Sequence, residues 1–67
     1  MPKDEFLIRR QRRLCEQCLA ALKERGNRRD DEIEIEMLLE SLKRDTLSLV
    51  EEREMNRISD EFGLGRV

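Results

Sequence analysis

The sequence predicts an all-α fold: a two-helix antiparallel hairpin that assembles into a helical bundle as a homodimer or higher oligomer. Three observations lead there. Aliphatic residues recur at helical spacing, no proline interrupts residues 3–67, and Gly26-Asn27 separates two long helical stretches. The 67 residues read as one helical-hairpin domain, 1–67, with a short flexible tail at 61–67. A domain this small buries only about 60% of its unfolded surface, so oligomerisation or a partner is expected to supply stability.

The first helix is predicted over about 4–25. At ~100° per residue, Leu7, Ile8, Leu14, Cys15, Cys18, Leu19 and Leu22 share a stripe roughly 140° wide, with Gln11 the polar residue at its middle. Asp4 and Glu5 in the first turn, and Lys23 and Arg25 in the last, suit the helix dipole. Gly26 supplies the left-handed position that ends a helix, and Asn27 is a good N-cap for the next. So short a connection makes the two helices antiparallel neighbours.

The second helix is predicted over about 28–60, ended by Gly63 and Gly65. Its main apolar face holds Ile35, Leu38, Leu39, Leu42, Leu49 and Val50. A second row, Ile33, Met37, Leu47, Met55 and Ile58, falls on the opposite side. One neighbouring helix cannot cover both rows, and at ~1.5 Å per residue the second helix overhangs the first by about ten residues. This second row, continued by Phe62, is therefore the expected partner or oligomer interface. The tail from Phe62 to Val67 is expected either to fold back or to dock on a partner.

Charged residues make up 45% of the chain, with a net charge of −2, and the signs are segregated. Residues 1–29 carry nine Lys/Arg against four Asp/Glu, whereas residues 30–67 carry five against twelve. Such asymmetry suits helices that attract one another, within a molecule or between copies. The densest charge is Arg9, Arg10, Arg12 and Arg13. Arg9 and Arg13 point away from the apolar stripe, and Arg10 and Arg12 flank it. They fit either a solvated face that pairs with acidic helices or a set of phosphate contacts to RNA or DNA. Glu5 and Glu16, each four residues from an arginine, are placed to offset part of the charge. Phe6 is the only aromatic near this face, so no row of rings is offered for stacked bases.

Chemistry finds little to work with. Cys15-Glu-Gln-Cys18 has CxxC spacing, but the pair lies mid-helix, away from the N-terminus where a dipole activates a redox cysteine. Zinc needs four ligands, and the chain has two cysteines and no histidine. Buried small hydrophobes are the favoured reading, with a metal site or disulfide shared between copies the alternative. The hydroxyls of Ser41, Thr46, Ser48 and Ser59 have no histidine to activate them, and no Gly-rich phosphate loop is present. No enzyme activity and no cofactor are expected. The apolar runs are too short for a secretory leader or a membrane span, so a reduced, cytoplasmic setting without membrane contact is expected.

Length and layout resemble the Rop-type RNA-binding regulators of plasmid copy number, homodimers of helical hairpins that form four-helix bundles. The likeness lies in Lys3, Arg10 and Arg25, a turn near Asn27 to Asp30, and Glu40-Ser41-Leu42. Leu14 stands where those proteins carry an aromatic that engages RNA. The resemblance is one of shape, and it implies RNA or DNA binding through the arginine face of the first helix. The reading from the residues themselves is a non-enzymatic interaction module, a regulator, inhibitor or cochaperone, that self-associates and binds another protein.

Overall fold

The computed structural model describes residues 4–64, and among them there are three helices and no strand: α1 (Glu5–Arg25), α2 (Arg29–Ser41) and α3 (Leu49–Glu61). The first helix lies where the sequence places it. The Asp4 side chain accepts a hydrogen bond from the Leu7 N–H at 3.0 Å and caps its start. Gly26 ends it at φ 77°, a left-handed backbone that lets its N–H reach the Leu22 carbonyl at 3.1 Å. The chain then turns back into α2. Asn27 does not cap α2: Arg28 takes the N-cap position, without a side-chain cap bond.

The expected single helix over 28–60 is broken, so the fold is a three-helix arrangement and not a two-helix hairpin. α2 tightens over its last turn, where Lys43 N–H bonds the Glu40 carbonyl and Arg44 N–H that of Ser41. Asp45 accepts from the Thr46 N–H at 2.7 Å. The Leu47 N–H, which would otherwise be buried without a partner, donates to Gln11 Oε1 at 3.1 Å. Ser48 and Glu51 then close a capping box: Glu51 N–H donates to the Ser48 hydroxyl, and Ser48 N–H donates to the Glu51 carboxylate at 2.9 Å. The N–H groups of Thr46, Leu47, Ser48 and Glu51 at the break thus each find a side-chain acceptor, and the continuous helix loses its advantage.

Packing supplies the reason for breaking. A straight helix would carry Met55 and Ile58 on the face opposite Leu38 and Leu42. The turn at 42–48 resets the phase, so Leu47, Met55 and Ile58 enter a core with Ile8, Cys15, Cys18, Leu22, Ile35, Leu38 and Leu42. Leu22, Ile35, Leu42 and Ile58 are fully buried, each contributing about 1.5–3 kcal/mol by leaving water. The same reset turns Leu49 and Val50 outward, to 66% and 70% exposure, although the sequence pattern puts them on the inner face.

α3 returns along α2 and runs parallel to α1. Ser41 donates to Glu51 at one end of the α2–α3 pair, and Arg28 bonds Glu61 at the other. Beyond α3, Gly63 adopts φ 68° and the Leu64 N–H bonds the Ser59 carbonyl at 2.8 Å, while the Ser59 hydroxyl donates to the Leu64 carbonyl. Phe62 and Leu64 thus fold back on the core. The rest of the expected tail, residues 65–67, lies outside the described residues. No helix among the described residues is long and apolar enough to cross a membrane.

Candidate functional site

The Asp4 cap sets the register of α1 and so fixes where its arginines emerge. Arg10 borders the seam with α3, in a hollow shared with Leu7, Leu14, Glu52 and Asn56. Arg9 and Arg12 border the seam with α2, beside Leu42 and Lys43. Arg13 stands between the two seams with Phe6. Phe6, Arg9, Arg10, Arg13, Leu14 and Gln17 together line a shallow groove of about 450 Å³, with the Phe6 ring and Leu14 as its apolar part.

All four arginines are exposed, and none makes an ion pair or side-chain hydrogen bond among the described residues. Neither Glu5 nor Glu16 closes onto them. One ion pair lies close by, Lys43 with Glu40 at 3.1 Å, Lys43 sharing the hollow of Arg9 and Arg12; the others lie elsewhere. Arg28 binds Asp31 at 2.6 Å and also Glu61, and Arg57 binds Glu54 at 2.9 Å and Asp31 at 3.4 Å. The carboxyls of Asp31 and Glu61 are held below their usual range, first by hydrogen bonds from Arg28. Arg25 and Arg28 also lie over the Phe62 ring, 5.3 and 5.8 Å from its centroid. The far end of the molecule is locally compensated, and the Phe6 end of α1 is not.

The expected interface row does not survive as a row. Leu47, Met55 and Ile58 are buried in the chain's own core and cannot meet a partner in this fold. Phe62 is half-buried beneath two arginines. Only Ile33 and Met37 remain on the surface, at 43% and 60% exposure. Phe6, 79% exposed on α1 beside the arginines, is the large apolar side chain that the expected interface does not include. Its signal was present in the sequence, because an aromatic at wheel position between Arg10 and Arg13 lies outside the apolar stripe.

Cys15 and Cys18 are both fully buried in the core. Burial pushes the Cys15 thiol up to about 12, with the neighbouring Cys18 adding to it, and raises Cys18 as well. A thiol held neutral in this way is a poor nucleophile and a poor metal ligand. Among the described residues no three His, Cys, Asp or Glu side chains gather in a metal-ligating group. Compared with protein-family models, curated proteins and solved structures, the chain shows no match to any of them.

Proposed function

We propose that this chain is a small non-enzymatic interaction module, a regulator, inhibitor or cochaperone, that self-associates and binds another protein through its surface helices. The observation that carries this reading is Phe6, 79% exposed on α1 and set among Arg9, Arg10 and Arg13, which have no acidic partner among the described residues. Large apolar side chains rimmed by arginine are the composition of binding surfaces, where the ring gives contact area and the guanidiniums give orientation. The α1 helix beneath it is capped by Asp4 and Gly26 and packed on the core, which fixes where these side chains emerge without help from a ligand.

A second reading, RNA or DNA binding through Arg9, Arg10, Arg12 and Arg13, is favoured by the same four unpaired cations. Capture from host extract separates the two. Wild type is compared with a Phe6→Ser/Arg9→Gln/Arg13→Gln variant, with and without nuclease. A protein retained by wild type, lost by the variant and indifferent to nuclease is the expected result. Retention that nuclease abolishes would transfer the surface to nucleic acid.

A further inference from the structure

The segregation of charge along the chain persists in the fold. α1 carries six cations and three carboxylates; α2, its antiparallel neighbour, carries one arginine and six carboxylates. Side by side, they would be expected to exchange ion pairs. None of the ion pairs among the described residues joins them: those present link α2, α3 and the connecting turns. Arg9 and Arg12 border the seam without pairing across it, and Arg10 and Arg13 on α1 and Asp30 and Glu36 on α2 are exposed and unpaired among the described residues, so their attraction is left available to another molecule.

Each surface also carries an apolar anchor. On α1, Phe6, Arg10, Arg13 and Gln17 follow helical spacing along one side, with Phe6 and Leu14 forming the apolar part of the groove. On α2, Ile33 and Met37 are four residues apart and so stand one above the other, both exposed. Asp30, Glu36 and Glu40 are exposed on the same helix, Glu40 in an exposed pair with Lys43 at 3.1 Å. Arg29 and Arg44 bracket this acidic run at its two ends. One surface is apolar with a cationic rim, and the other is apolar with an anionic rim.

We infer that the Phe6–arginine face of α1 docks on the Ile33–Met37 face of α2 of a second copy of this chain. The inference rests on the module reading and supplies its self-association surface. Charge complementarity selects this occupant, and the apolar anchors favour it over a nucleic acid, whose phosphates would use the arginines but leave Phe6 and Leu14 without an apolar partner. One face binding a different face is a heterologous contact. It can therefore be disabled from either side and restored by mixing.

The experiment uses two variants of the full chain. Phe6→Ser/Arg9→Glu/Arg13→Glu reverses the α1 face, and Met37→Ser/Glu36→Arg/Glu40→Arg reverses the α2 face. All six positions are exposed, and circular dichroism verifies that helicity is kept. Sedimentation equilibrium of wild type up to millimolar concentration is expected to show association that weakens about tenfold as added salt shortens the screening length. Each variant alone should remain monomeric, and an equimolar mixture should associate again. Folded variants that associate like wild type, or a mixture that stays monomeric, overturn the inference. So does a wild type that is monomeric throughout, including one that binds RNA or duplex DNA instead. Restored association in the mixture, with no host protein captured in the preceding experiment, would uphold the inference and the self-association it rests on, and sink the binding of another protein.

Discussion

Gln11 is the residue on which the fold turns. Its place at the centre of an apolar stripe is legible in the sequence, but its purpose is not, because both of its partners lie more than thirty residues away. In the structure its carbonyl oxygen accepts from the buried Leu47 N–H at 3.1 Å, and its amide donates to Glu52 at 3.3 Å. Gln11→Leu keeps the volume but leaves the Leu47 N–H without a partner. It is expected to destabilise the protein by about 1–3 kcal/mol, measured by urea unfolding. A variant as stable as wild type would mean that water reaches that N–H. The cysteines are the converse case, since their residue type and stripe position already pointed to the core. Cys15 has its thiol raised from 9.0 to about 12, so the folded state resists its ionisation. The stability this confers is complete below 9 and is lost as pH rises from 9 towards 12. Cys15→Ala should show a shallower alkaline loss of stability than wild type. Equal slopes would place the titrating group elsewhere.

At the scale of elements, α1 and its Gly26 terminus were fully legible, because local signals agree with the long-range packing there. The break at 42–48 escapes the apolar periodicity, although one local signal marks it. Ser48-Leu-Val-Glu51 has the spacing of a capping box, which starts a helix inside a stretch whose apolar periodicity suggests continuity. The periodicity misleads because a wheel drawn through a turn carries the wrong phase beyond it, and it puts Leu49, Val50, Met55 and Ile58 on the wrong sides. Ser48→Ala is expected to cost about 1 kcal/mol and to loosen α3 first, seen as amide exchange rising over residues 49–55 before the rest. Uniform exchange would deny the box this role. Glu51, the other half of the box, is held below the usual carboxylate range by the Ser48 N–H first and by the Ser41 hydroxyl next. The unfolded chain takes up this proton more readily, so the stabilisation is present above the ordinary value of 4.5 and fades as pH falls below it. Asp31 and Glu61 act in the same direction through Arg28. Acid should therefore release α3, and Glu51→Gln should flatten the pH dependence of helicity in that range.

At the scale of the molecule, the break removes the need for a partner to cover a second apolar face. A straight second helix with two apolar faces would need a partner simply to fold. The broken chain closes Leu47, Met55 and Ile58 into its own core, so this core needs no second copy to cover it, and the association proposed above rests on exposed faces alone. The candidate surface was half legible for the same reason: the arginines sit on α1, whose phase was right, while the interface row ran through the turn. Two substitutions of equal chemistry separate these views. Ile58 is fully buried and Met37 is 60% exposed, yet both belong to the row that a continuous helix would present together. Ile58→Asp places an unpaired carboxylate in the core at a cost of several kcal/mol, comparable with the whole stability of so small a domain. It should unfold the protein at any concentration. Met37→Asp lies in water, should change stability by no more than about 0.5 kcal/mol, and should affect association alone. The measurement is circular dichroism on dilute samples, with sedimentation for the second variant. Retained helicity in Ile58→Asp would restore the continuous helix, with its outer row facing another copy, as the arrangement present in solution.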